Sequence, residues 1–471
     1  MATVSTAIAQ IPDATSSNLC EAVGRWRFED LPKNVVDTLK ALLLDELGVI
    51  AGAANAPGIP ELNARLSKWE TAGSATGLLG KRRYSPPSAA LANGAAGHAL
   101  DYDDQHDPAR VHTNCVVIPA LLAAAEEAGP VNGKQFLLGH AVGAEIHARL
   151  GLACYNSLGK GWHPTMIFGT LSGALGAGCM LGMNAALLQH VIGMAYHQTS
   201  GSAQSMRDGV LSKRLGAGFA ARSAVMGLFL AADGLTGTIH TLEGNAGLFA
   251  LYERGEVKPE ILMRDLGTDW RIPEYSLKPY PCCRCNHSAI DLGIALHGEG
   301  IDPTAVAAIE IGMGHVNWLT VGNAYDPSRN EIVHAQFNVA YGFARALADG
   351  KVDLRTYTRP NITEARIAAL TSITTIVDDP KLDPTAIEPV RIELRLKDGH
   401  VIDRRTDIVK GSPQAPMTDA ERLSKFYDCL EFGLGASRGE ADRLAESVMN
   451  IERETDAAKA IVAAFPRSRT A

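Results

Sequence analysis

Four stretches of this chain carry titratable side chains where a core-forming pattern does not ask for them. In GHALDYDDQHDPARVHTN, residues 97–114, four acids (Asp101, Asp103, Asp104, Asp107) and three histidines (His98, His106, His112) fall within fifteen positions. Such a loop suits general acid–base chemistry or a metal site, and equally a solvated loop whose aspartates cap helices. In GKGWHPTMIFGT, residues 159–170, His163 and Thr165 open an uncharged helix. Its N-terminus could cradle a carboxylate, or His163 could simply cap it. In HQTSGSAQSMRDGVLSKRLGAGFAAR, residues 197–222, the cations Arg207, Lys213 and Arg214 interrupt a small, polar run. Lys213 there is either a base made useful by desolvation or part of an exposed basic turn. In LKPYPCCRCNHSAID, residues 277–291, three cysteines follow a proline-bracketed tyrosine. Cys282, Cys285 and His287 are metal-ligand types, but the second cluster that a structural zinc site needs is missing. Buried, inert thiols are the default reading of these cysteines, and a nucleophile activated by Lys278 or Arg284 is the sharper one.

Such residues need elements to position them. VVDTLKALLLDELGVIAGAA, SPPSAALANGAAGHALD, VIPALLAAAEEAG, GKQFLLGHAVGAEIHARLG and RLGAGFAARSAVMGLFLAADG all space their apolar residues as helices do. Gly129-Pro130 and Gly234 read as helix ends, and Asn132 as the cap of the helix that follows. After Trp270 the texture changes. VAAIEIGMG (306–314) alternates as a strand, and RIELRLKDGHVIDRR (391–405) as a hairpin turning at Asp398-Gly399. HAQFNVAYGFARALADG, EARIAALTSIT and the tail segments TDAERLSKFYDCLEFG and GEADRLAESVMNIER read as helices. The expected fold is mainly α. A large all-helical domain is built from both chain ends, residues 1–271 and 406–471, and a smaller α+β lid domain, residues 272–405, is inserted into it.

Composition narrows the function. With 471 residues, 46% hydrophobic and 20% charged, the chain has the material for a large core, which excludes disorder as its main state. A net charge of −8 is a poor match to a phosphate backbone, so nucleic acid is not an expected partner. The N-terminal MATVSTAIAQIPDATSSN lacks the basic and apolar regions of a secretory signal, and the eight cysteines form no disulfide framework. A cytoplasmic protein with free thiols is expected. The stretch MIFGTLSGALGAGCMLGM is long enough to span a membrane, but five of its eighteen residues are glycine. A buried helix that lets other backbones approach closely fits it better, so no membrane partner is expected.

Taken in order, HALDYDDQH with His112, GWHPTMIFGTLSGALGAG, the Gln204-to-Ala221 run with Lys213-Arg214, KPYPCCRCNHSAID, AQFNVAYGFARAL with Tyr341, and GSPQAPM resemble the MmgE/PrpD family over residues 15 to 455. That family includes 2-methylcitrate dehydratase, cis-aconitate decarboxylase and iminodisuccinate epimerase. The resemblance implies a homodimer of helical and lid domains, with Asp101, His112, His163, Lys213, Lys278 and Tyr341 in the cleft between them. Gln105, Arg207 and Cys283 join Lys278 as expected substrate-binding residues. Where the decarboxylase branch carries threonine and histidine, this chain has Gln105 and Cys283. Both departures count against cis-aconitate decarboxylation.

No motif here implies a metal or a cofactor, so side chains must move the proton next to a carboxylate and hold the developing charge. His163 is the expected base, with Lys213 a second acid–base group or an electrostatic stabiliser. Asp101 would orient His112, Lys278 would bind a carboxylate and sense closure, and Tyr341 would donate a hydrogen bond or protonate a leaving group. The expected activity is that of a lyase, a dehydratase or hydratase acting on a small di- or tricarboxylic acid. An epimerase is the alternative, and a decarboxylase or a non-catalytic carboxylate binder are lesser ones.

Overall fold

Helices in the first half of the chain approach one another at distances only glycine permits. The computed structural model describes residues 12–70 and 72–469, apart from the side chain of Arg207. The uncharged stretch forms the helix Pro164–Met180, in which every residue except Met166 is buried. A Cβ on Gly176 would stand 2.6 Å from the carbonyl oxygen of Gly139, and one on Gly139 would stand 2.7 Å from that of Gly176. The two backbones therefore touch where this helix crosses the helix Gly133–Ala153. The same device joins Ser212–Ala232 to Pro86–His98, since a Cβ on Gly218 would lie 2.4 Å from the Leu91 oxygen. Ser212–Ala232 is long and apolar enough to cross a membrane by length and composition, yet it packs between other helices and is mostly buried.

Helix ends follow local chemistry. The Asn132 side chain accepts from the Gln135 N–H while Gln135 reaches back to the Asn132 N–H, closing a capping box. Gly129 and Gly234, at φ 98° and 95°, take the left-handed turns after their helices. The chain ends meet where the helix Asp419–Leu434 lies on Lys33–Gly52, with Gly433 pressed against the Ala51 carbonyl. One apolar core accordingly runs from Leu19 to Leu277 and resumes from Met417 to Phe465. A second runs from Tyr280 to Ile402.

The sequence suggested an all-helical part, but the observed one is not purely helical. A short antiparallel hairpin, β1 (Ala75–Gly77) with β2 (Arg82–Tyr84), interrupts it. Around the second core four strands, β3 (Val306–Met313), β4 (Thr374–Asp378), β5 (Val390–Leu396) and β6 (Val401–Thr406), form a sheet in the order β4-β3-β5-β6. β3 pairs parallel with β4 and antiparallel with β5. The expected hairpin is present, turning at Gly399 with φ 90°. β4 was not foreseen: it is a five-residue edge strand whose residues are half-buried or exposed, without the alternation that marks β5. All eight cysteines are free thiols.

The Gly139–Gly176 crossing generates an expectation. Gly176→Ala should destabilise the protein by about 1–3 kcal/mol, the range for overpacking, although alanine favours an isolated helix. Urea unfolding reads this directly. An unchanged or higher midpoint would show that the crossing is not backbone-tight.

Candidate active site

The acidic loop lies between the helices Pro86–His98 and Asn114–Ala128, and its aspartates are held from several directions. Asp104 accepts from the N–H groups of Thr113 (3.3 Å) and Asn114 (3.0 Å), so it anchors the loop on a helix N-terminus. Asp101 takes the left-handed conformation at φ 53°. One of its carboxylate oxygens meets Lys213 Nζ at 2.9 Å and the other meets Lys278 Nζ at 2.7 Å. Lys278 also donates to the Asp101 carbonyl at 2.9 Å. Burial alone would raise the Asp101 carboxyl, but the two ammonium groups outweigh it and hold it well below the usual range. Lys213 comes from the helix Ser212–Ala232, and Lys278 from the segment that enters the second core. Further ties run from Lys425 Nζ to the Tyr102 carbonyl (2.8 Å), from Tyr102 Oη to the Pro279 carbonyl (3.2 Å), and between the backbones of Gln105 and Ser276.

The imidazoles are set by what they touch. His112 Nδ1 donates to the Asp104 carbonyl at 2.9 Å, which fixes its tautomer and leaves Nε2 as the basic nitrogen. Burial brings its pKa down to about 3. His163 occupies the N-cap of Pro164–Met180, and its Nδ1 has no partner. Burial, and then the neighbouring His98 and Lys213, place its pKa well below the usual imidazole range. The carboxylate that serves the histidines is Asp103 rather than Asp101. Asp103 accepts from His98 Nδ1 at 2.7 Å and lies 3.5 Å from His112 Nδ1. The His98 ring stands 4.9 Å from that of His112 and 6.0 Å from that of His163.

A cleft opens here, with Asp101, Gln105, His112, His163, Lys213 and Cys283 among its lining residues. Six of the residues expected from sequence are thus gathered. Two are not. The Lys278 ammonium lies fully buried behind Asp101, so it supports the site instead of binding substrate. Tyr341 sits in the second core, where its hydroxyl donates to the Thr356 carbonyl at 2.7 Å, and burial raises its pKa to about 12. It does not reach the cleft. The side chain of Arg207 lies outside the described residues. The sequence reading passed over Gln336, which donates to the Leu100 and Pro281 carbonyls at 2.8 and 3.0 Å and so ties the two cores together. A lone glutamine in a helical pattern carried no signal for that.

Cys283 and Cys285 both line the cleft, and the hydrogen bond between their thiols lowers the pKa of Cys285. A hydrogen bond to Cys285 and burial push the Cys283 thiol well above its ordinary pKa. His287 bonds the Cys282 carbonyl and the Arg284 guanidinium, so its ring is already occupied within its own loop. Among the described residues the converging trio of metal-ligand types is His98, Asp103 and Cys115, and the His98–Asp103 hydrogen bond closes it.

Beneath the loop, Glu46 is buried and neither of its oxygens has a partner. Burial, and then Asp103, Asp104 and Asp45, push its pKa well above the ordinary range. The folded protein therefore keeps a proton there that the unfolded chain loses near pH 4.3. Above that pH the folded state binds more protons than the unfolded one, so stability falls as pH rises towards the folded pKa, by at most about 1.4 kcal/mol per unit. Glu46→Gln should unfold with a flatter stability curve than the parent between pH 5 and 8. Parallel curves would refute a protonated Glu46.

Known proteins match this chain along nearly its whole length. Residues 17–260 match the MmgE/PrpD N-terminal domain and residues 280–451 the MmgE/PrpD C-terminal domain. A cis-aconitate decarboxylase-like protein of Aspergillus oryzae is 27% identical, over 94% of this chain and 95% of its own length. Cis-aconitate decarboxylases of Aspergillus terreus and Homo sapiens are each 26% identical, covering 94% and 87% of this chain and 94% and 86% of their own lengths. With both domain types matched in order around the cleft just described, the chain belongs to the MmgE/PrpD family, and the relatives named here are lyases.

Proposed function

We propose that this protein is a cofactor-independent lyase that removes a proton next to a carboxylate of a small di- or tricarboxylic acid and expels water from the adjacent carbon. What carries this reading is the setting of the two cleft imidazoles: His112 commits its Nδ1 proton to the Asp104 carbonyl, the Nδ1 of His163 is buried without a partner, and these surroundings push both pKa values below the usual imidazole range. A neutral imidazole takes a proton; it is a poor donor. Decarboxylation, the activity named for the relatives, instead requires a proton to be delivered to the carbon that carbon dioxide leaves.

In this mechanism His163 accepts the proton as the C–H bond breaks, and negative charge spreads onto the adjacent carboxylate opposite Lys213. The carbon–carbon double bond forms as the β-hydroxyl departs, and Lys213 supplies the proton that turns it into water. His112, with its tautomer fixed, is a second acceptor on the same cleft and opens an epimerase route if it serves the opposite face. A homodimeric, cytoplasmic enzyme remains part of the same proposal.

Proton NMR in D2O with citrate-, aconitate-, tartrate- and imino-dicarboxylate panels tests the reaction. A new vinylic signal, or its loss by hydration, is expected. Deuterium entering the α-carbon with inversion would make the protein an epimerase, and carbon dioxide release from cis-aconitate would make it a decarboxylase. His163→Asn should lower kcat by about 10²–10⁴-fold, the usual contribution of a positioned base. Because the bases lose protons far below the ordinary imidazole value, kcat/KM should hold level from pH 8 down to pH 5. A tenfold fall per unit below about pH 6.5 would contradict it.

A further inference from the structure

Three described cations line the cleft, and two of them already have acidic partners. Lys213 faces Asp101, and Arg284 is 3.2 Å from Asp107 while also donating to the Lys410 carbonyl at 2.7 Å. Arg110 differs. Its guanidinium makes one hydrogen bond within the protein, from Nη2 to the Thr385 carbonyl, and stands near enough to the Cys285 thiol to lower its pKa, but among the described residues no carboxylate pairs with it. Its backbone is left-handed at φ 54° and pinned, since its N–H donates to the His106 carbonyl at 2.8 Å and His106 bridges to Val111. A half-buried arginine on a fixed turn, lining a cleft and lacking a carboxylate partner, has its binding capacity in reserve.

We infer that Arg110 is a specificity residue that holds a second carboxylate of the substrate. The inference rests on the carboxylate-lyase reading and names the residue that would select a di- or tricarboxylate over a monocarboxylate. A carbonyl on one Nη2 proton leaves a two-point edge of the guanidinium for a carboxylate, whose planar oxygens match it. The bond to Thr385, a residue of the segment leading into β5, lets the bound carboxylate tighten the contact between the acidic loop and the second core. No proton moves and no covalent bond changes in this role.

Equilibrium binding of matched unreactive probes tests it: malonate, succinate and glutarate, each against its half-amide, by calorimetry. The parent protein should prefer the best dicarboxylate over its half-amide by on the order of ten- to a hundredfold, the worth of a charge-assisted hydrogen bond. Arg110→Gln should remove that preference and leave the half-amide affinity unchanged, and Arg110→Lys should restore part of it. Thermal melts of both variants confirm folding. A parent that binds dicarboxylates without preference, or an Arg110→Gln variant that retains the preference, would overturn the role of Arg110 and leave the carboxylate site standing. A parent that binds no probe would overturn the carboxylate reading and this inference with it.

Discussion

A carboxylate shared by two buried ammonium groups holds this protein's candidate site together. Asp101 is 4% exposed, Lys213 6% and Lys278 0%, so water can do little to solvate the three charges. Taking such charges out of water costs several kcal/mol each, and only close mutual contact offsets it. The geometry satisfies that demand, with both Asp101 oxygens in ion pairs of 2.9 Å or less. Since one lysine belongs to the helical core and the other to the segment leading into the second core, the electrostatic need of one residue fixes how the two parts meet.

The rest of the site follows from this clamp. Once Asp101 is fixed, Asp103 falls beside His98 and His112, and Asp104 reaches the N-terminus of the next helix. Burial, with the neighbouring cations, then disfavours a second proton on the imidazoles and outweighs the nearby Asp103 and Asp101 carboxylates, leaving them as bases. Glycine crossings support the arrangement from below, since helices that touch backbone to backbone cannot drift under the loop. Rigid packing, buried charge and basic imidazoles are three consequences of one loop being held from every side.

Much of this was legible in the sequence, and the limits have physical causes. The glycine spacing in Pro164–Met180 announced close packing, and the acid-and-imidazole density of residues 97–114 announced the site. The resemblance supplied Asp101, His112, His163, Lys213, Lys278 and Tyr341 as a set. What a one-dimensional pattern could not supply was direction. Asp101 and Asp103 are two residues apart, and only the left-handed turn at Asp101 decides which faces the lysines and which the histidines. Lys278 and Tyr341, which the resemblance also assigned to the cleft, are placed by the second core and its leading segment, and their polar atoms are taken up by Asp101 and by the Thr356 carbonyl. β4, with half its surface open and little alternation, carried too weak a signal to be seen.

The most direct test of the clamp is a double-mutant cycle on unfolding free energy with Asp101→Asn and Lys278→Met. Alone, Asp101→Asn strands two ammonium groups; with Lys278 already removed it strands one. The account requires the loss from Asp101→Asn to shrink by at least about 1.5 kcal/mol in the Lys278→Met background, within the range of coupled neighbours. Additivity within about 0.5 kcal/mol would mean that Asp101 and Lys278 act independently and that something else joins the two cores.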